Sequence, residues 1–387
     1  MRLVCGPAWE SGSQVARINA RGFRTTTNYD ADARPIAEVD ALARRTTLQY
    51  DVAGERTQKI DGRSFAITYL FDRAGRETTR QYRDGTRVTT TYDPVGQATG
   101  WSDVNGIWTR SYDGAGQLVT EAAPSHPSGQ PLTNLYDPTG DRTVLISWFG
   151  RLTATFDGRR SITGLLDPQG GRSTWTFDAL GRWTQQQEPD GSSSTATYDA
   201  AGRLTGVLHK DRTGAVIDQA LMAYDAVDNP LKKVTLDGVD TMTYDAANQL
   251  LSEYHPIAGV KTWTFDPVGN RLSQDFTQVR VRTLTNWAYD AADQITLETT
   301  GTAVTTYTFD AAGNEQVVQT PGGRTTNIWD SENRLTGVQL PGGGRNTMAY
   351  RADNLRHQLA DSEATKLMVW DELGYSGYMD LVQENLP

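Results

Sequence analysis

Cysteine is almost missing from this chain: Cys5 is the only one in 387 residues, so neither an internal disulfide nor a thiolate metal site is possible. Histidine is nearly as scarce. His126, His209, His255 and His357 stand far apart with no second His or Cys at ligand spacing, and a solvated or loop role is expected for each. No apolar run approaches membrane-spanning length, and residues 1–28 lack the hydrophobic stretch of a secretory signal. Positive charge is in deficit. With 37 Lys and Arg against 47 Asp and Glu, the net charge is -10, which argues against nucleic acid or an acidic membrane surface as a partner. Helix-forming segments are nearly absent, and a Gly-x-Ser-x-Gly nucleophile elbow, a phosphate-cradling Gly-Lys motif and a Pro/Ser linker are lacking.

What the chain has instead is one phrase, an aromatic followed by Asp and then a turn. It reads Tyr29-Asp30, Tyr50-Asp51, Phe71-Asp72, Tyr92-Asp93, Tyr112-Asp113, Tyr136-Asp137, Phe156-Asp157, Phe177-Asp178, Tyr198-Asp199, Tyr224-Asp225, Tyr244-Asp245, Phe265-Asp266, Tyr289-Asp290, Phe309-Asp310, Trp329-Asp330, Tyr350-Arg351 and Trp370-Asp371. Successive aromatics lie 20 or 21 residues apart, stretching to 24 or 26 at three places. A fixed period over a whole chain marks an array of units, each too small to bury a core alone. Residues 1–28 read as a lead-in or partial repeat, 29–371 as the array and 372–387 as a C-terminal tail.

Each unit reads as two short strands. In Thr195-Ala196-Thr197-Tyr198 and Thr262-Trp263-Thr264-Phe265, Thr alternates with apolar residues at period two, and both classes favour pleated structure. The Asp ends the strand because its carboxylate can accept a hydrogen bond from the backbone two residues on. Gly three residues later (Gly54, Gly75, Gly202, Gly269), or Asn (Asn248, Asn333, Asn354), supplies the left-handed position. The wide spacings coincide with inserts at Pro124–Pro131, Lys210–Met222 and Asp275–Arg282, expected to be enlarged loops. Asp167 heads an extra, off-register copy of the turn. The fold class expected is therefore all-β, a long antiparallel sheet with ring stacked on ring from repeat to repeat. A β-propeller is disfavoured, because the similarity holds at 21 residues and does not alternate at the ~42 residues of a blade.

Residues able to carry chemistry read as structural. Asp at turns suits a hard cation, yet only Asp30 with Asp32 brings two carboxylates close, and turn capping is the plainer role. Stacked Asp pairs could serve as acid and base in glycoside hydrolysis, but any such array creates those pairs by default. Trp175, Trp263 and Trp287 share the parity of the repeat aromatic. Trp101, Trp148 and Trp183 do not, and are the better candidates for exposed contact with a sugar. The Arg after many turn glycines is read as a surface partner for an Asp of the neighbouring repeat. No catalytic, cofactor or metal site is assigned.

Phrases such as Tyr198-Asp199-Ala200-Ala201-Gly202-Arg203-Leu204 and Phe265-Asp266-Pro267-Val268-Gly269-Asn270-Arg271 resemble the YD repeats of the rearrangement-hotspot (Rhs) family, over residues 29 to 371. The resemblance implies YD hairpins in a β-sheet ribbon that spirals into a hollow shell, complete or partial, as in bacterial insecticidal toxin complexes, Rhs polymorphic toxins and teneurins. In the bacterial relatives that shell encloses a C-terminal toxic domain. The self-cleaving Asp-Pro-x-Gly-Leu motif of those cores is missing: Asp-Pro-x-Gly occurs at Asp93, Asp137, Asp167 and Asp266, each time as a turn without the Leu. The function expected is a non-enzymatic scaffold of a toxin or cell-surface protein, secreted or displayed. Its partner would be a C-terminal cargo or a capping polypeptide, or a cell-surface glycan in the adhesion alternative. An incomplete, open spiral whose C-terminal edge is covered by further polypeptide or a partner protein, and which self-associates when isolated, is also expected.

Overall fold

The computed structural model describes residues 15–124, 126, 129–371 and 380–385. These form one 35-stranded sheet, β1 (Ala16–Ile18) to β35 (Asp380–Asn385), with no α-helix among the described residues. Each strand pairs antiparallel with the strand that follows it in sequence, so the sheet is a continuous meander and not a set of blades. No pairing joins β1 to β35, and the sheet stays open.

The even-numbered strands β2 (Arg24–Tyr29) to β32 (Arg345–Tyr350) end on the repeat aromatic, and the hairpin register shifts there by one residue. In β18 (Ser193–Tyr198) and β19 (Leu204–Lys210), Thr197 faces Gly206 while Tyr198 faces Leu204, so Thr205 is the extra residue of a bulge. Gly202 takes φ +86°, as the left-handed residue of a bulged hairpin turn must. The slot imposes this geometry even where Gly is absent: Asn248 has φ 61°, Ala33 61° and Arg160 67°.

The position two before the aromatic is the best covered. Tyr69, Ala154, Ala196, Trp263 and Met348 are buried there, while the intervening Thr197 and Thr264 are exposed. Two inserts differ from the loops expected of them. Lys210–Met222 and Asp275–Arg282 lengthen hairpins, giving β20 (Val216–Tyr224) and β26 (Val281–Tyr289) nine residues each. In both inserts the backbone groups pair across the hairpin, and no irregular loop is needed.

The ribbon has two edges. Even-to-odd turns carry the aromatic-Asp phrase; odd-to-even turns form the opposite edge. Contacts far apart in sequence join the two: Asn19 meets Asp293, 274 residues on, and Asn105 meets Tyr350, 245 residues on. The ribbon therefore winds back on itself. The odd-to-even turns of its first stretch seat the aromatic-Asp turns of a later one.

Candidate functional site

Among the described residues, every repeat but that of Arg351 is locked by its Asp. In the Asp199 turn, Oδ1 accepts from the N–H groups of Ala201 and Arg203, both at 2.9 Å, and Oδ2 accepts from Arg203 Nε at 2.7 Å. These donors, the Arg203 backbone N–H first and its guanidinium next, hold the carboxyl below its ordinary value. Asp30, Asp72 and Asp178 are lowered by the same combination of backbone and Arg donors. The same carboxylate cap occurs on the other edge, at Asp40, Asp61 and the off-register Asp167.

In five repeats the fourth residue after the Asp is Arg, and it reaches forward. Arg203 Nη1 donates to Asp225 O at 2.8 Å, and its guanidinium lies 5.0 Å from the Tyr224 ring centre. Arg34 over Tyr50, Arg76 over Tyr92, Arg182 over Tyr198 and Arg334 over Tyr350 repeat this. Each Tyr hydroxyl in turn donates back to a carbonyl of the preceding repeat, as Tyr198 does to Trp183 O at 2.8 Å. A planar cation over a ring is favourable in itself and presents further donors at its rim.

Between the turns of the spiral, side chains of the first stretch are fitted to the aromatic-Asp turns of the later one. Arg21 donates to Asp290 O at 2.8 Å, to Asp293 Oδ1 at 2.6 Å and to Tyr289 O at 3.2 Å. Forty-two residues later Arg63 repeats the grip, donating to Asp330 O at 2.9 Å and Asn333 Oδ1 at 2.7 Å. Beside it the backbones nearly touch: a Cβ on Gly62 would stand 1.8 Å from Ala311 O. Further along, Glu332 accepts from Arg80 at 2.5 Å and from Tyr82 at 2.8 Å. Burial and the adjacent Glu332 carboxylate push the Tyr82 hydroxyl well above its ordinary value.

The seam is most heavily built where the repeat breaks. Arg351 replaces the Asp of its turn, is 2% exposed and reaches across the seam to Glu121 at 3.2 Å. Arg110 holds the other Glu121 oxygen at 2.9 Å, and Asp353 pairs with Arg351 at 2.8 Å. Both guanidiniums lie over Trp101, at 4.5 Å for Arg110 and 5.2 Å for Arg351. Trp101 stacks on Trp108, with centroids 5.8 Å apart, and the fully buried Trp108 meets His357 edge-on at 6.0 Å. The arrangement can clamp two ribbon turns together; its carboxylates are spoken for by Arg, and no group of three His, Cys, Asp or Glu able to hold a metal occurs among the described residues.

No protein-family model and no curated protein matches this sequence. Solved structures do. The fold superposes on the crystal structure of TcdB2-TccC3-TEV with a TM-score of 0.66 at 17% identity, over 91% of this chain and 24% of that one. For TcdB2-TccC3-Cdc42 the score is 0.62 at 17% identity, over 95% and 24%. For TcdB2-TccC3 without its hypervariable C-terminal region it is 0.52 at 14% identity, over 90% and 25%. The fold is that of the Rhs/YD-repeat shells. This chain spans about a quarter of the length of the toxin-complex chains it matches.

Several expectations are corrected by the geometry of the YD-repeat ribbon. Ring was expected on ring; in five repeats the next ring instead carries a guanidinium, those of Arg34, Arg76, Arg182, Arg203 and Arg334. Such an Arg serves its own Asp and the next turn's carbonyl and, in the case of Arg203, also the neighbouring repeat's carboxylate, Asp228 at 3.0 Å, as expected. Trp101 is buried in the seam and unavailable to a sugar, Trp148 is half-buried against His126 and the Leu132–Leu145 cluster, and Trp183 is half-buried. Asp30 and Asp32 are joined by Arg34. His126 and His357 are buried, not solvated, His126 against Trp148 and His357 against Trp108 of the first stretch; His209 bonds Ser194, and His255 Nδ1 accepts from the N–H groups of Ile257 and Ala258. The seam residues were missed by reading repeats one at a time. Two signals stood in the sequence: Arg at the lone YD position without Asp, and Arg21 and Arg63 two repeats apart.

Proposed function

We propose that this chain is a length of wall, non-enzymatic, in an Rhs-type toxin or cell-surface protein whose shell encloses or presents a C-terminal cargo polypeptide outside the cell. The observation that carries this is the seam. Arg21, Arg63 and Arg351 are shaped to the turns they meet, so winding is written into side chains and the ribbon makes a continuous wall. The likeness to TcdB2-TccC3 supports the reading, as does the hypervariable C-terminal region named for that complex, which is the counterpart of a variable cargo. Adhesion to glycans gains nothing from the structure, since Trp101 is covered.

The test is protease protection of the whole polypeptide that carries this stretch, with and without Arg63→Ala and Arg351→Ala together. A segment C-terminal to the wall should survive digestion in the natural protein and be lost in the variant. Equal digestion of that segment in both proteins would overturn the enclosing role.

A further inference from the structure

The Arg351 joint holds groups that wall-building alone does not need. His357 is 5% exposed and neither ring nitrogen has a hydrogen-bond partner; His126 is 4% exposed, with Nδ1 against Gln130 O at 3.2 Å and Nε2 unpartnered. The two come from opposite sides of the seam. His126 lies after β11 (Leu118–Ala122) on the first stretch, and His357 lies in β33 (Arg356–Ala360) on the later one. The charged groups acting on them are Glu121 of the first stretch and Arg351 of the later one, which are themselves paired with Arg110 and Asp353; Trp108 packs against His357 and Trp148 against His126.

We propose that this joint is an acid-sensitive lock: with both imidazoles neutral the later turn closes on the first, and protonation of His126 and His357 releases the joint while the Arg21 and Arg63 contacts hold. A protonated His357 would face Arg351 with no acceptor on either nitrogen, and a buried cation without a partner is strongly disfavoured. Burial first, and then Arg351, keep the His357 imidazole below its ordinary value of 6.5; burial does the same for His126, against the pull of Glu121. Since the unfolded or opened state takes up protons more readily, closure is complete above pH 6.5 and is lost progressively as pH falls below it. Each unit by which an imidazole is held down corresponds to about a tenfold change in the opening equilibrium. The lock does not depend on what the shell contains.

Hydrogen exchange of the intact chain, corrected for intrinsic rates, tests this at pH 7.5 and pH 5.0. Protection of Arg110–Ala122 and Tyr350–Ala360 should fall about tenfold or more at the lower pH, with Arg63–Phe71 and Gly323–Trp329 unchanged. The His126→Gln, His357→Gln double variant should show no such fall. Unchanged protection in the natural chain, or an equal fall in the double variant, would overturn the proposal. If the double variant does not fold, NMR titration of the natural chain decides: both imidazoles should titrate below 6.5, and ordinary values would refute the lock.

Discussion

Arg351→Asp restores the repeat consensus, and it should destabilise the protein. At the other described YD turns an Asp accepts two backbone N–H bonds, as Asp199 does, and by analogy with helix caps such a gain is about 0.5–2 kcal/mol. At 351 the same change removes the cation paired with Glu121, which is 3% exposed, and sets a second carboxylate beside it. Removing one partner of a buried pair costs roughly 3–5 kcal/mol, and Arg110, at 2.9 Å from the remaining oxygen, keeps the loss towards the lower end. The net cost is therefore about 1–4 kcal/mol, confined to the joint. A nearest-neighbour array does not melt as one unit, so a single melting temperature would dilute the effect. Local hydrogen exchange at pH 7.5 is the right assay. Protection over Tyr350–Ala360 should drop by roughly five-fold to several hundred-fold, at about 1.4 kcal/mol per factor of ten, with Ser193–Tyr224 unaffected. Protection equal to or above that of the natural chain would refute the account of Arg351.

Gly62→Ala should part the two turns around Arg63 and expose amides near Ala311, because backbone meets the new Cβ at 1.8 Å; Gly114→Ala, with open space around it, is the control and should be neutral by the same exchange measurement. Asp199→Ala should lower local protection more than Asp199→Asn, whose amide oxygen still accepts from Ala201 and Arg203 but loses the Arg203 guanidinium pair. Because the Asp30, Asp72, Asp178 and Asp199 carboxyls are lowered, their contribution is present above the ordinary value of 3.8 and is lost as pH falls through their folded values; an acid titration by circular dichroism should show this loss only at the acid end, well below the range of the histidine lock. Arg63→Lys should weaken the seam nearly as much as Arg63→Ala in an exchange assay, since an ammonium cannot span Asp330 O and Asn333 Oδ1 as the planar fork does.

Most of the local architecture was legible in the sequence because it is set by neighbours. Thr197 and Tyr198 alternate, Asp199 caps and Gly202 takes the left-handed slot within one short phrase, and these are local preferences that repetition makes easy to read. What joins one turn of the spiral to the next was not legible in that way. Arg63 and Asn333 are 270 residues apart, and nothing in either phrase names the other. The inserts misled for a related reason: Lys210–Met222 looked like a loop by length, while its strand character becomes evident only once Val216–Tyr224 pairs with Leu204–Lys210. His357 was read as solvated because it stands isolated in its own repeat, and the Trp108 ring that packs against it comes from 249 residues earlier in the chain.

The central claim is that the ribbon winds back and stacks edge on edge, and a single distance tests it. Spin labels at Ala20→Cys and Ala292→Cys, with Cys5→Ser, flank the Asn19–Asp293 hydrogen bond of 3.0 Å. The stacked spiral predicts a pulsed dipolar distance of about 20 Å or less, since each label is one residue from a residue in that contact. From β1 to β27 (Ile295–Thr300) an unwound ribbon would instead put about 26 strand spacings of ~4.8 Å, roughly 125 Å, between those ends. A short, narrow distance distribution is the result expected; no dipolar signal in the 20 Å range would contradict the stacked spiral.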